Sequence, residues 1–201
     1  VVGLPAFAQA APPTTPFISE IHYDNAGTDA GEFVEVTFPA GSTTTGWTVE
    51  LYNGSNGQRY DTDPVAPDAD GAGLVSYSGT LQNGSPDGVA LVENGVVREF
   101  LSYEGPLTAT NSTAAGQTST DIGVVEDGTE PVGYTLSRVY DPQTDALQWR
   151  EPAEGTPGTP NAAVVPPPPA EVCDVTPTHE IGQIQGRGPS AAGTGQVTVR
   201  G

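Results

Sequence analysis

Residues 16–38 read PFISEIHYDNAGTDAGEFVEVTF, and their pattern sets the fold class of the chain. Two runs rich in Ile, Val and Phe, residues 17–23 and 33–38, flank a loop of Asp, Asn, Gly and Thr, the layout of two strands joined by a turn-rich connection. In the second run Val34, Val36 and Phe38 alternate with polar neighbours, so they share one buried face. Carboxylates stand at Glu20, Asp24, Asp29, Glu32 and Glu35, with no nucleophile–base pair or phosphate-binding loop beside them. The stretch is expected to open a small β-sandwich.

The same period-two pattern recurs outward from it, and helical periodicity is nearly absent. In Trp47-Thr-Val-Glu-Leu-Tyr52, Trp47, Val49 and Leu51 alternate with Thr48, Glu50 and Tyr52. Val89-Ala-Leu-Val-Glu93, Asn94-Gly95 and Val96-Val-Arg-Glu-Phe-Leu-Ser-Tyr103 form the clearest hairpin, because Asn-Gly supplies the positive φ angles of a type I′ turn. Asn-Gly pairs at 53–54, 56–57 and 83–84 mark further turns. Residues 104–131, rich in Thr, Ala, Gly and Ser and ending in the acidic patch 126–130, are expected to be a long surface loop. β-runs at 134–140 and 147–150 follow, and Thr156-Pro-Gly-Thr-Pro-Asn161 closes the unit. Residues 162–175, with four successive prolines, read as an extended, semi-rigid linker. Residues 176–201 read as the first strands of a second, incomplete β domain, too short to bury a core of its own.

Charge narrows the function. There are 25 acidic residues against six Arg and no Lys, a net charge of −19. Such a surface repels polyanions, and phosphate contacts need Lys and Arg, so direct nucleic-acid binding by this chain is not expected. The apolar start VVGLPAFAQAAPPTTP carries two Ala-x-Ala patterns, as the tail of a secretory signal peptide would; a disordered Ala/Pro leader over residues 1–15 is the bland reading. The apolar part is too short for a membrane span of about 20 residues, and no other segment qualifies. In an exported protein the lone Cys173 is expected to pair with a cysteine outside this chain.

Several groups are candidates for chemistry, each with a structural reading beside it. Asp61, Asp63, Asp68 and Asp70 offer clustered oxygens of the kind calcium prefers. An EF-hand alignment through Asp68, Asp70 and Gly71 fails, since it puts Ala66 and Tyr77 where Asp and Glu are needed. A non-EF calcium site competes there with a solvated acidic loop. Asp24, Asn25, Asp29 and Glu32 carry the same choice, because Asx side chains also build turns. A catalytic pair among Glu20, Glu32 and Glu35 is not expected, on the view that these acids lie beside solvent-facing strand positions. His22 and His179 fall in different units, and Ser19 beside His22 lacks an oriented partner. Sequons at Asn53, Asn83 and Asn111 are equally consistent with chance. Trp47, Tyr52, Tyr60, Tyr77 and Tyr103 would make a sugar-stacking platform if exposed, but the alternation assigns Trp47 to the core.

Four stretches together resemble the bacterial lamin-tail domain: Ile18-Ser-Glu-Ile-His-Tyr-Asp-Asn25 with Gly31-Glu-Phe-Val-Glu-Val36, Gly46-Trp-Thr-Val49, Asp87-Gly-Val-Ala-Leu-Val92, and Trp149 followed by Thr156-Pro-Gly-Thr-Pro-Asn161. The resemblance implies an all-β, immunoglobulin-like β-sandwich over residues 16–161, without catalysis, acting as an attachment module of an exported protein. Cys173, His179-Glu-Ile-Gly-Gln-Ile-Gln-Gly-Arg-Gly188 and Gln196-Val-Thr-Val-Arg-Gly201 are similar to the start of an OB-like domain. In secreted bacterial nucleases such a domain stands between a lamin-tail domain and an endonuclease/exonuclease/phosphatase domain. The partners so implied are a downstream catalytic domain in the same polypeptide and a protein or cell-surface ligand. A divalent metal is implied only for the nuclease domain. A freestanding adhesion module and a calcium-dependent carbohydrate-binding module are the alternatives.

Overall fold

A computed structural model describes residues 12–77 and 81–161, together with the backbone of residues 179–180 and 199–200. The chain separates into two units, 1–165 and 166–201. Within the second unit, β12 (His179–Glu180) pairs in parallel with β13 (Val199–Arg200). Cys173 lies outside the described residues, as does most of the segment expected to be OB-like.

The first unit is all-β, as the alternation requires; among the described residues there is no helix, hence none long and apolar enough to cross a membrane. Its strands are β1 (Phe17–His22), β2 (Phe33–Thr37), β3 (Trp47–Asn53), β4 (Gln58–Val65), β5 (Ala72–Ser76), β6 (Asp87–Glu93), β7 (Val96–Tyr103), β8 (Thr120–Asp121), β9 (Tyr134–Asp141), β10 (Ala146–Trp149) and β11 (Ala153–Glu154). One sheet runs β10-β9-β1-β2-β5, with β11 also on β9; the other runs β4-β3-β6-β7-β8. All pairings are antiparallel except β7 with β8.

The two sheets share one core. Ile18, Ile21, Val34, Val36 and Leu136 from the first meet Trp47, Val49, Leu51, Val89, Leu91 and Leu101 from the second, all buried. Each such side chain taken fully out of water contributes roughly 1.5–3 kcal/mol. The Asn94-Gly95 turn is as expected, with φ of 49° and 78° joining β6 to β7. Ile18 and Ile21 are three apart, which a regular strand would place on opposite faces. A bulge at Ser19 resolves this: Ile18 faces Val36, Glu20 faces Glu35, and Ile21 faces Val34. One extra residue thus returns both isoleucines to the core and leaves two glutamates directly opposed on the outer face.

The long surface loop expected over 104–131 needs correction. Leu107, Ala109 and Ala114 are buried against Tyr52, Ala90, Val92 and Phe100, forming a second core on the outer face of the second sheet. β6 is therefore covered on both sides, which explains why Val89-Ala-Leu-Val92 is continuously apolar rather than alternating. Glu50 and Tyr52, on the polar side of the alternation, lie beneath this cover.

Candidate functional site

The expectation that Glu20, Glu32 and Glu35 sit at solvent-facing positions is corrected: all three are buried. What covers Glu20 and Glu35 comes from the far end of the unit. After β11 the chain crosses their outer face as a strap, residues 155–161. Glu20 Oε1 accepts hydrogen bonds from the Thr135 hydroxyl (2.6 Å) and the Thr156 amide (2.9 Å). The Thr156 hydroxyl lies 3.1 Å from Glu20 Oε2 and 2.8 Å from Asn161 Oδ1, and its single proton serves one of them at a time. Glu35 Oε1 accepts from the Ser19 hydroxyl (3.0 Å) and Oε2 from the Gly158 amide (2.8 Å). Asn161 Nδ2 donates to Ser19 O at 2.7 Å. Burial above all, opposed by the Gly158 amide and reinforced by the Glu20 charge, pushes the Glu35 carboxyl up to about 7.

A second buried acid fastens the end of β1. Glu126 Oε1 lies 2.9 Å from His22 Nδ1, and Oε2 accepts from the Tyr23 and Asp24 amides at 2.7 and 2.9 Å. His22 Nε2 faces Ala30 O at 3.1 Å, so both ring nitrogens look at acceptors, the setting of an imidazolium. Burial, the largest single influence, lowers the affinity of the ring for its proton. The Glu126 carboxylate and the Ala30 carbonyl together outweigh it and hold the His22 pKa above its ordinary value. A third acid, Glu50, accepts from Arg59 Nη1 (2.8 Å), the Thr113 hydroxyl (2.7 Å) and the Tyr52 hydroxyl (2.5 Å), tying the cover to β3.

At one end of the sandwich two open hollows of about 430 and 530 Å³ share Asn83. The first is bordered by Asp29, Asn53, Gln82 and Asp87, the second by Asp24, Glu104, Glu126 and Asp127, and among the described residues no arginine borders either. Burial and the neighbouring Asp29 push Asp24 up, and burial pushes Asp87 up. Chemically this mouth suits cationic or polyhydroxyl groups rather than anions.

The calcium candidates are spread over a strand and a turn. Asp61 and Asp63 stand opposite Leu51 and Val49, on the inner face of β4. Asp68 Oδ1 caps a turn, accepting from the Asp70 and Ala72 amides at 2.9 and 3.1 Å, while Asp70 is exposed. Among the described residues no three His, Cys, Asp or Glu side chains are grouped to hold a metal ion. Asn25 organises its own loop, accepting from the Ala30 amide and donating to the Ala26 and Thr28 carbonyls. Glu32 Oε2 accepts from the Leu81 amide at 3.3 Å. The sequon asparagines are likewise engaged: Asn53 with Gln82, Asn83 with Asp29, and Asn111 with the Arg59 amide. Trp47, Tyr52, Tyr77 and Tyr103 are buried and Tyr60 packs partly against the core, so these aromatics build the interior. Tyr23 and Tyr103 stack there at 3.9 Å between ring centroids.

The roles of Glu20 and Glu35 were not legible because their partners on β9 and the strap lie 115 to 136 residues away. Glu126 gave only one sign of burial, the apolar pair Val124-Val125 ahead of it. No protein-family model, curated protein or solved structure matches the chain.

Proposed function

We propose that residues 16–161 are a non-catalytic interaction module of the lamin-tail type, carried by an exported bacterial protein, where it anchors or positions an extracellular metal-dependent nuclease domain of the same polypeptide. The sequence resemblance motivates the reading, and one observation carries it. Glu20, Glu35, Glu50 and Glu126 each have both carboxylate oxygens engaged in holding other parts of the same fold. A general acid or base needs an oxygen within reach of a substrate proton, and these acids offer none. Their work is to fasten strands and loops, which leaves the acidic mouth as the face for a partner.

The experiment is a deletion of residues 16–161 from the full polypeptide. Turnover on free DNA is expected to stay within about twofold, while the fraction retained at the cell surface falls severalfold. A loss of turnover of 100-fold or more would overturn the accessory role, as would DNA cleavage by the isolated chain with magnesium. The acidic mouth also favours a second reading, a calcium-dependent carbohydrate-binding module. A melting temperature several degrees higher in calcium than in chelator would support it, and identical melting curves would remove it.

A further inference from the structure

The pairing of Glu20 with Glu35 is costly unless something offsets it. Like charges directly opposite on an antiparallel pair repel, and both residues are completely buried. Among the described residues no cation answers them: the ion pairs are His22–Glu126, Arg59–Glu50, Arg98–Glu93 and Arg138–Glu99. From β1 the nearest titratable neighbour, His22, is committed to Glu126. The turn before β5 adds a third negative charge, Asp68, to the surroundings of Glu35. Thr135 of β9 and Thr156, Gly158 and Asn161 of the strap, which meet the pair, are neutral, and Arg138 of β9, which reaches β1 at the Ile18 carbonyl, is committed to Glu99.

The two acids are not equivalent. Glu20 Oε1 takes the Thr156 amide and the Thr135 hydroxyl together and its Oε2 faces the Thr156 hydroxyl, whereas each Glu35 oxygen has one partner, Gly158 on Oε2 and on Oε1 the Ser19 hydroxyl, which can reverse its role. The Ser19 hydroxyl lies 3.0 Å from Glu35 Oε1 and 3.3 Å from the Glu35 main-chain carbonyl. When Glu35 carries a proton on Oε1, that proton goes to Ser19 Oγ and the serine proton turns to the carbonyl. When Glu35 is ionised, the serine proton turns back to Oε1. Oε2 accepts from Gly158 in either state.

We propose that residues 155–161 are a proton-operated latch, closed while the opposed Glu20–Glu35 pair holds one proton and opening when that proton is lost to solvent. Closed, the strap supplies the Thr156 and Gly158 donors and shields the pair from water. Open, water enters and solvates two separated carboxylates. Release would add seven residues of free chain ahead of the proline-rich stretch, up to about 23 Å of extra reach. The closed strap binds the Glu35 proton at a pH near 7 and an open strap near the ordinary 4.5. The closed form is therefore favoured below about 4.5, and its advantage is lost as pH rises through about 7.

Hydrogen exchange of the 153–161 peptide in the full chain, corrected for intrinsic rates, reads the latch between pH 5.5 and 8.5. Protection is expected to fall by about 30-fold across this window, the part above pH 5.5 of the roughly 300-fold that 2.5 pKa units set in all. Glu35→Gln, which keeps an acceptor for Gly158 and a donor for Ser19, is expected to hold the strap closed at every pH. Constant protection in the unaltered chain would overturn the proposal, as would an unchanged pH dependence in E35Q. Should E35Q fail to fold, the carboxyl ¹³C shift of Glu35 in the unaltered chain decides: a midpoint within a unit of 7 supports the latch and one near 4.5 overturns it.

Discussion

Glu126 and His22 are 104 residues apart in sequence and form a buried hydrogen-bonded pair that neither run of sequence announces. Replacing Glu126 by Gln leaves one oxygen for two places: if it accepts from the Tyr23 and Asp24 amides an NH₂ faces His22 Nδ1, and if it faces Nδ1 the two amides lose their acceptor. The expected cost is about 1–3 kcal/mol at pH 6, measured by urea denaturation. The His22 pKa is raised in the folded state, so its stabilising contribution is fully present below about 6.5 and lost as pH rises through the raised value. The deficit of E126Q should accordingly shrink towards pH 8, and the His22 titration followed by NMR should move to lower pH. An unmoved His22 midpoint would contradict this account. A Cβ on Gly155 would lie 2.4 Å from Thr135 Cγ2 and 2.8 Å from Glu20 Oε1. Gly155→Ala is therefore expected to cost about 1–3 kcal/mol in the same assay.

Among the elements, the segment between β7 and β8 departs most from its sequence. Thr, Ala, Gly and Ser read as loop because their side chains are small and polar, yet small side chains are what lets residues 107–119 lie close on β6 and β7. Its attachment uses backbone as much as apolar contact: Thr110 N donates to Gly57 O at 2.7 Å, and Ala114 N to the Tyr52 hydroxyl at 3.1 Å. Leu107 is the largest apolar side chain in this cover, and Leu107→Ala is expected to cost about 2–5 kcal/mol by chemical denaturation. The hairpin β6–β7 was legible because its information is local, held in Asn94-Gly95 and the runs beside it. Residues 17–37 were legible as strands for the same reason, but the purpose of their glutamates was not. An acid at an outward-facing strand position looks the same in sequence whether water or a distant strap covers it, and here the cover arrives after β11. The continuous apolar run 89–92 was the one local sign that a second layer lay outside the sheet.

For the whole molecule, Glu35 and His22 act in the same direction. Each has a raised folded-state pKa, so each stabilises at low pH and loses its contribution as pH rises, Glu35 from about 4.5 through about 7. The Glu35 share alone is about 3 kcal/mol at 1.36 kcal/mol per unit. The net charge of −19 adds self-repulsion as the acids ionise. The melting temperature is expected to be several degrees higher at pH 5.5 than at pH 8.5. Half-molar salt should recover only the long-range part of the difference, because buried groups are weakly screened. E35Q should flatten the profile, and a profile as steep as that of the unaltered chain would show that Glu35 has no part in it. β4 is an edge strand, and its open backbone would accept a strand from a second copy if the joined sheet could close over a dry interior. Asp61 and Asp63 stand on the side that such a joint would have to bury, which opposes strand-on-strand growth along this edge. Replacing both with Thr is expected to leave the sandwich folded while light scattering begins to climb with concentration.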